Sequence, residues 1–373
     1  MLLDYKAHAL KLANSADITI NGERPWDIHI ENEDVYKKLV WHGTLGLGES
    51  YMDGWWNCER LDLLFERVLR SGQEAKVRIN LSLAILAAGH LVTNMQTRMR
   101  SSRVSDIHYD LNNSFYEKML DSRMIYSCGY WNGVDNLQEA QLAKLDMICQ
   151  KLELTAGESL LDIGCGWGGM AKFAAENYGV HVTGITISKE QASYAKAVCE
   201  GLPVEIRLQD YRDVTGQFDK IVSIGMFEHV GTRNYRTFMK TVNDRLTDQG
   251  LFLLHTIGHR YPTISADPWV DKYIFPGGKI PYINHISSAI DGLFILEDWH
   301  NFGMDYSKTL LAWHQNFVKH WPEFEGVYGE KFFRMWEYYL LSFAGAFSAR
   351  HMQLWQLVLT KNSRQSMYHS VRP

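Results

Sequence analysis

The most informative part of this chain is the stretch Leu160-Leu161-Asp162-Ile163-Gly164-Cys165-Gly166-Trp167-Gly168-Gly169. An apolar run leads to an acidic residue and then to closely spaced glycines, and a helical pattern follows from Met170 to Tyr178. This order predicts a β-strand, a tight turn and a helix. Glycine lets the backbone turn sharply and lets a ligand approach it, and the first turn of the helix offers N–H groups to that ligand. The stretch therefore predicts a ligand-binding loop.

The spacing of these glycines also fits the G-x-G-x-x-G pattern of dinucleotide-binding folds, which is weak evidence when it stands alone. A dinucleotide site needs an acidic residue about 20 residues further on, at the end of the next strand. Here the next apolar run, Val180 to Ile185, ends in Thr186-Ile187-Ser188. The loop instead resembles the D-x-G-x-G-x-G loop of class I methyltransferases, which bind S-adenosylmethionine. A glycine turn that only packs a helix on a strand is the alternative.

The composition narrows the class of protein and its cellular setting. The 373 residues allow two domains and a large core, and the net charge of −5 gives no overall basic field for a nucleic-acid partner. The five cysteines form no C-x-x-C pair and are odd in number, which argues against a disulfide framework or a zinc site and for a reducing compartment. The N-terminus lacks the apolar core of a signal peptide, and no apolar run reaches the roughly 18 residues of a membrane-spanning helix. We therefore expect a cytoplasmic protein that can contact a membrane surface.

The chain divides into three predicted parts. These are an accessory, lipid-engaging domain at 1–75, a basic linker helix at 76–104 and a catalytic domain at 105–373. In the first part, 18–20 and 27–30 read as short strands joined by a turn at Asn21-Gly22. The spacing of apolar residues at 61–69 is helical.

Two N-terminal segments each allow two interpretations. The glycine- and aromatic-rich patch at 45–56 is either a packed loop or a contact to lipid or to the catalytic domain. The segment 76–104 has no acidic residue and five basic ones, namely Lys76, Arg78, Arg98, Arg100 and Arg103. Such a helix can lie on an anionic membrane, or it can connect the domains with its apolar face in the core.

From about residue 105, apolar runs alternate with helical patterns. The runs predict strands at 159–163, 180–185, 204–208, 220–224 and 251–255, with added strands at 293–296 and 354–359. Such alternation predicts a mostly parallel sheet covered on both faces. The predicted fold class is therefore α/β, a Rossmann-like class I methyltransferase with a seven-stranded sheet and a small, mostly helical N-terminal domain. Residues 259–292 interrupt the alternation, and we expect them to form a lid.

Polar residues follow the predicted strands, at the edge where open α/β sheets bind ligands. The candidates are Cys128 before the first strand, Thr186 and Gln191 after the second, Gln209 and Asp210 after the third, Glu228 after the fourth and His255 after the fifth. Asp210 is placed to accept a hydrogen bond from an adenine amino group.

Each candidate also has a simpler explanation. His255 can be a partner of backbone groups, Cys128 a small core residue, and Glu228 an acid favoured at the start of the next helix. Because the candidates follow neighbouring strands beside a predicted cofactor loop, we favour a functional role.

Sequence blocks along nearly the whole chain resemble the bacterial cyclopropane-fatty-acyl-phospholipid synthases, which are relatives of the mycolic acid cyclopropane synthases. The blocks include LGLGESYMDGWW (45–56), HYDLNNSFYEKMLD (108–121), MIYSCGYW (124–131), LDIGCGWGG (161–169), GMFEHVG (225–231), LLHTIG (253–258), DPWVDKYIFPGG (267–278) and EDWHNFGMDY (297–306). The full-length N-terminal part favours the phospholipid enzymes over the shorter mycolic relatives.

The resemblance implies a methyl transfer from S-adenosylmethionine to the cis double bond of unsaturated acyl chains in membrane phospholipids, with bicarbonate assisting the proton loss that closes a cyclopropane ring. It implies a cofactor site at Tyr126, Ser127, Asp162, Gly164, Gly166, Thr186, Gln191, Gln209 and Asp210. It implies a bicarbonate pocket at Cys128, Glu228, His255, the backbone of Ile257, and Tyr306.

One position departs from the family pattern. Some members carry a cysteine, once proposed as catalytic, in the block that matches 338–347, and Phe343 occupies that place here. A cysteine nucleophile at this position is therefore not required. Methyl transfer to an alkene leaves a carbocation, which aromatic rings can stabilise through their faces. The candidates for this role are Tyr130, Trp131, Trp269, Tyr273 and Phe275.

Two other functions stay open at this point. An ordinary methyltransferase acting on nitrogen or oxygen of a small molecule shares the cofactor loop and needs no bicarbonate pocket. A non-enzymatic lipid-binding module would keep the fold only as a scaffold. We favour the cyclopropane synthase, placed peripherally at the inner face of the cell membrane as a homodimer.

Overall fold

The computed structural model describes residues 5–72, 112–262 and 266–373. These residues form two compact units. The first contains the described parts of Met1–Met95, Thr263–Gly277 and Tyr306–Met352, and the second those of Gln96–Pro262, Gly278–Asp305 and Gln353–Pro373. The predicted basic helix at 76–104, and the predicted boundaries at its two ends, lie outside the described residues.

Strands and helices alternate over much of the described chain. The described helices are α1 (Tyr5–Ser15), α2 (Asp34–Met52), α3 (Leu61–Arg70), α4 (Asn113–Met119), α5 (Leu137–Lys151), α6 (Gly169–Tyr178), α7 (Lys189–Val198), α8 (Tyr235–Arg245), α9 (Pro268–Tyr273), α10 (Ile283–Ile290), α11 (Met304–His320) and α12 (Glu325–Ser348). The described strands are β1 (His29–Ile30), β2 (Trp56–Asn57), β3 (Ser159–Ile163), β4 (His181–Thr186), β5 (Val204–Leu208), β6 (Phe218–Ile224), β7 (Leu246–His259), β8 (Ile295–Asn301) and β9 (Met352–Thr360).

The first unit is mostly helical, and α12 packs against α2 and α3. The predicted pairing of two short strands in this unit is wrong. Ile20 makes a single bridge with Ile28, and β1 pairs with β2 instead. The reason is the buried side chain of Asp27, whose Oδ1 accepts the N–H of Thr19 at 2.8 Å and whose Oδ2 accepts the N–H of Arg24 at 3.0 Å. Backbone N–H groups that a strand pair would use are therefore bonded to the Asp27 carboxylate.

The glycine- and aromatic-rich patch at 45–56 is not a loop over most of its length, because α2 continues to Met52. Glycine serves close packing here. A Cβ at Gly48 would collide with the indole ring of Trp269 in α9. The indole Nε1 of Trp269 in turn lies 3.4 Å from the sulfur of Met52.

The second unit is built on a seven-stranded sheet with the order β5-β4-β3-β6-β7-β9-β8. The pairs β5–β4, β4–β3, β3–β6 and β6–β7 are parallel, and β8–β9 is antiparallel. Neighbouring residues of β3 point into different cores: Leu160 packs in one cluster and Leu161 in the other. Both faces of the sheet are thus covered, as parallel sheets require, and the predicted fold class is confirmed.

The segment 259–292, predicted as a lid, contains a helix that belongs to the core. Ile286, Ala289 and Ile290 of α10 are buried in the same cluster as Leu161 and Phe252 of the sheet. This part of the segment covers the sheet. No helix of the described residues has the length and hydropathy needed to cross a bilayer.

A substitution in the central strand tests the importance of this core. Leu161 is fully buried, whereas Leu208 at the end of β5 is 50% exposed. We expect Leu161→Ala to lower the free energy of unfolding by about 2–5 kcal/mol, since it leaves a cavity, and Leu208→Ala to change it by less than about 1 kcal/mol. Urea denaturation measures both. Equal losses would contradict the assignment of the core.

Candidate active site

The sheet places the strand-end residues along one edge. From β3 the chain moves outward through β4 and β5 and then returns to β6 on the other side of β3. This reversal is the switch point at which open α/β sheets bind ligands. The register pairs Thr186 with Leu208, and Ile224 with His255. The residues that follow these strands therefore converge, as the sequence predicted.

The glycine loop after β3 has a backbone that requires glycine. Gly164 has φ of +85°, and a Cβ there would lie 2.8 Å from the Cβ of Met226. Its N–H donates to the carbonyl of Ile185 at 3.0 Å. Gly166, with φ of +54°, has open space where a Cβ would project. A tight turn with open space above it fits a cofactor that contacts the backbone.

The residues after β4 form a connected group. The Thr186 hydroxyl donates to Oε1 of Gln191 at 2.9 Å, and both side chains are buried. Ser188 caps α7, because its Oγ accepts the N–H of Gln191 at 3.3 Å. The structure thus brings Thr186 and Gln191 together at the strand end, with the helix cap holding them.

The residues after β5 close the next turn. The Gln209 side chain donates to the carbonyl of Asp213 at 2.7 Å. Oδ1 of Asp210 accepts the N–H of Arg212 at 2.9 Å. The Gln209 N–H donates to the carbonyl of Thr186 at 2.9 Å, which connects this turn to the group after β4.

The segment before β3 is held by α5. Ser127 is buried, its Oγ accepts a hydrogen bond from Nζ of Lys144 at 3.0 Å, and its carbonyl accepts one from Gln141 at 2.8 Å. The Tyr126 ring meets the Tyr116 ring edge-on, with centroids 5.5 Å apart. Helix α5 therefore holds Ser127, and Tyr116 of α4 packs against Tyr126; the family resemblance assigns both Ser127 and Tyr126 to the methionine end of the cofactor.

Lys144 of α5 and Asp162 of β3 are both buried and interact electrostatically. Burial lowers the pKa of Lys144 to about 8, and the carboxyl groups of Asp121 and Asp162 oppose this shift. Burial raises the pKa of Asp162 to about 7, against the charge of Lys144. Oδ2 of Asp162 is buried and has no hydrogen-bond partner in the described part of the chain. Each group thus lowers the cost of keeping the other charged.

Sequence reasoning missed the contribution of α5. Lys144 and Lys151 are fully buried, as is Ile148 between them. Their spacing of four and three residues places all three on one face of the helix. Lysines on a face that is otherwise apolar were the available signal, since a buried lysine needs a specific partner.

Glu228 lies in a short 3-10 helix after β6, and its side chain is buried. Its Oε1 accepts the N–H of Ile257 at 2.6 Å, while its Oε2 has no hydrogen-bond partner among the described residues. Burial raises the pKa of Glu228 to about 7. The backbone N–H of Ile257, expected to face bicarbonate, thus supports Glu228 in this structure.

His255 is buried in β7, two residues before Ile257, so the two residues lie on the same face of the strand. Its Nδ1 lies 3.2 Å from Nε2 of Gln356. Its Nε2 is buried and has no hydrogen-bond partner within the described ranges. Burial, with the charges of Lys144 and Lys151, lowers its pKa well below the usual value. The imidazole is therefore neutral.

Two buried polar atoms, Oε2 of Glu228 and Nε2 of His255, are thus left for an additional partner. A small ion with both donor and acceptor oxygens fits such a pair, because buried polar groups are normally hydrogen-bonded. Bicarbonate has this chemistry. The residues present therefore fit the predicted ion.

The remaining predicted pocket residues lie in different environments. Cys128 is fully buried, with its sulfur 3.1 Å from the carbonyl of Gly129. Tyr306 belongs to the first unit, where its ring stacks on Phe347 with centroids 4.5 Å apart. Phe343, also in the first unit, meets Tyr339 edge-on at 5.0 Å. Phe343 therefore packs among aromatic side chains in this unit.

The five aromatic candidates are divided between the two units. In the second unit, the Tyr130 hydroxyl donates to the carbonyl of Pro373 at 3.0 Å, and the Trp131 N–H donates to Asp305 at 2.8 Å. In the first unit, the rings of Trp269, Tyr273 and Phe275 pack against other aromatic rings of α9 and α12.

A sheet of this order, with a glycine loop after its first strand and polar groups at the following strand ends, defines a class I S-adenosylmethionine-dependent methyltransferase. Comparison with known proteins assigns the chain to a single family within this class. Residues 96–357 match the family model for mycolic acid cyclopropane synthetase, and the chain belongs to this family.

Relatives and solved structures agree with this assignment. The cyclopropane-fatty-acyl-phospholipid synthase of Escherichia coli (strain K12) is 51% identical over 353 residues, which cover 95% of this chain and 92% of that protein. The probable fatty acid methyltransferase of Pseudomonas putida is 39% identical, with 68% of each chain covered. The resemblance found in the sequence blocks is therefore confirmed.

Two structures share the fold. The cyclopropane synthase MmaA2 from Mycobacterium tuberculosis gives a TM-score of 0.66 at 29% identity, covering 72% of this chain and 100% of that one. The mycolic acid cyclopropane synthase CmaA1, complexed with SAH and CTAB, gives 0.66 at 30% identity, covering 70% and 98%. This chain is an S-adenosylmethionine-dependent methyltransferase.

The glycine loop gives a test of cofactor binding. We expect Gly164→Ala to weaken binding of S-adenosylhomocysteine at least about tenfold, because the new methyl group meets Met226 and displaces the loop. Gly216→Ala is the matched control, since Gly216 has φ of +86° with nothing within 4 Å of the added Cβ. Isothermal titration calorimetry measures both. Equal affinities of the two variants would contradict this role of Gly164.

The buried carboxyl of Glu228 gives a test by pH. Its pKa is about 7 in the folded chain, against an ordinary value of 4.5, so the folded state binds more protons between these values. Its contribution to stability therefore falls as the pH rises from about 4.5 to about 7. We therefore expect the wild type to lose stability relative to Glu228→Gln as the pH rises from 5 to 8. The difference between their free energies of unfolding should change by about 1–3 kcal/mol in favour of the variant.

Denaturant unfolding at the two pH values measures this difference. Glu176→Gln is the control, because the side chain of Glu176 is 44% exposed. A gain that is the same for both variants would show that Glu228 is not the source.

Proposed function

We propose that this protein transfers the methyl group of S-adenosylmethionine to the cis double bond of unsaturated acyl chains in membrane phospholipids, and that bound bicarbonate assists the closure of a cyclopropane ring. One observation carries the proposal: Glu228 and the neutral His255 each keep a buried polar atom without a partner in the described chain, beside the cofactor loop. Methyl transfer to nitrogen or oxygen needs no such pocket. The name of the Escherichia coli relative supports the lipid substrate.

S-adenosylmethionine supplies a methyl group on a positively charged sulfur, and bicarbonate supplies a small, exchangeable base. The part of the protein is to orient the reactants and exclude water, which would otherwise capture a carbocation. We assign the cofactor contacts to Tyr126, Ser127, Asp162, Gly164, Gly166, Thr186, Gln191, Gln209 and Asp210. Of these, Ser127, Thr186 and Gln191 are buried and already held by hydrogen bonds.

We assign Glu228 the task of holding the ion by accepting its hydroxyl hydrogen at Oε2. The N–H of Ile257 fixes Oε1, so Oε2 keeps one direction. A carboxylate placed directly against the reacting carbon would itself be alkylated. Glu228 avoids this because it holds the ion and does not itself take the proton. Cys128 and Tyr306 stay predicted contacts of the ion, on the family resemblance.

The lipid substrate places the reaction at a membrane surface. We propose that the protein binds peripherally to the anionic inner face of the cell membrane. The five positive charges at 76–104 support this, since each basic residue near such a surface contributes about 1 kcal/mol. A homodimer would bring two such segments to one membrane, and we retain it as part of the proposal.

Fatty-acid analysis tests the reaction. We expect expression in a bacterial host that lacks cyclopropane lipids to convert unsaturated fatty acids into products that gain CH₂ and lose the double bond, as measured by gas chromatography and mass spectrometry. Gly164→Ala, produced at the same level, is the control that should yield little product. An unchanged fatty-acid profile, or methylation of a headgroup, would overturn the proposal.

Purified protein tests the role of Glu228 in the same reaction. Glu228→Gln is expected to lower turnover about 100-fold and to remove the response to added bicarbonate, whereas Glu176→Gln changes neither. Wild-type turnover in Glu228→Gln would exclude this carboxylate from the mechanism.

A further inference from the structure

A chain of buried hydrogen bonds in the second unit leads from Lys151, at the end of α5, to His255. The Nζ of Lys151 lies 2.8 Å from Oε1 of Gln356, 3.0 Å from Nδ1 of His300 and 3.8 Å from Oδ2 of Asp298. The Gln356 side chain is fully buried, and its Nε2 lies 3.2 Å from Nδ1 of His255. Gln356 thus connects the amine to the imidazole.

The direction of these bonds follows from the chemistry of the amine. An ammonium group has three hydrogens and no lone pair, so its close partners must accept. Gln356 therefore turns Oε1 toward Lys151 and the hydrogens of Nε2 toward His255. In a neutral imidazole one nitrogen accepts and the other carries the hydrogen. Because Nδ1 of His255 accepts from Gln356, its Nε2 carries the hydrogen.

The surroundings of Lys151 favour the ammonium form. Asp298 keeps its carboxylate close to Lys151 and also forms an ion pair with Arg372. Burial lowers the pKa of Lys151 to about 7, and Asp298 opposes this shift. Burial, together with Lys151 and Arg372, lowers the pKa of His300 to about 4. Near pH 6 the amine is therefore mainly charged, while His255 and His300 are neutral.

We propose that Lys151 and Gln356 are positioning residues that hold His255 as the tautomer with hydrogen on Nε2, so that His255 binds an anionic oxygen as a donor and does not act as a base. The identity of that anion as bicarbonate rests on the proposed function above. An imidazole lone pair facing a methyl donor would compete with the alkene for the methyl group. Hydrogen on Nε2 removes that lone pair from the site.

Long-range ¹H–¹⁵N NMR of the full chain, labelled with ¹⁵N-histidine and measured at pH 6 without cofactor or lipid, tests the tautomer. The His255 signals are assigned by their loss in His255→Gln. We expect hydrogen on Nε2 and none on Nδ1 in the wild type. In Gln356→Glu, the carboxylate accepts from both neighbours, and we expect Nδ1 to gain hydrogen.

A wild-type His255 with hydrogen on Nδ1 overturns the proposal, whether or not the variant folds. So does a Gln356→Glu protein in which Nδ1 stays without hydrogen. Since the resting protein is observed, the result is independent of the proposed reaction. If the protein forms cyclopropane rings and His255 carries hydrogen on Nδ1, only this inference is wrong. If His255 shows the expected tautomer and the protein leaves lipids unchanged, only the proposed function is wrong.

Kinetics add a second measurement. Gln356→Met removes the donor to His255, and we expect the half-saturating bicarbonate concentration to rise about tenfold while the affinity for S-adenosylhomocysteine stays unchanged. Gln353→Met, on the same strand, is the control and should change neither. An unaltered bicarbonate response in Gln356→Met contradicts the proposal.

Discussion

The second unit depends on one constraint, the need of a buried amine for hydrogen-bond partners. Transfer of a charged group from water into the interior costs several kcal/mol unless it is paired. Helix α5 buries two lysines, and each finds its partner in or beside the candidate site: Lys144 donates to Ser127, and Lys151 donates to Gln356. The bonds that offset this cost therefore also fix side chains to which we assign roles in binding and positioning.

Much of the fold could be predicted because apolar runs and glycines act locally. The bounds of β3 and β5 agree with the predicted strands, and β4 differs by one residue at each end. The glycines also predicted a tight turn after β3, and Gly164 in that turn has a positive φ. Errors arose where a side chain replaced a regular backbone pattern, as with the carboxylate of Asp27, or where glycines served close packing inside a helix, as in α2.

Sequence patterns name single candidate residues for the site, and they do not name the bonds between those residues. The rule that ligands bind at strand ends selects Thr186, Glu228 and His255. It does not reveal that Ile257 donates to Glu228, since that bond joins residues 29 apart. Nor does it reveal Gln356, which lies 101 residues from His255. Such pairs depend on how distant strands and helices pack, and no local pattern encodes them.

The bond between positions 151 and 356 joins residues 205 apart in the chain. A change of Gln356 to an apolar residue removes the acceptor for the buried amine of Lys151. A change of Lys151 to an apolar residue removes the donor to the buried amide oxygen of Gln356. Neither substitution is neutral by itself, so evolutionary drift at one position is tied to drift at the other. We therefore expect these two positions to covary among homologues that retain the histidine.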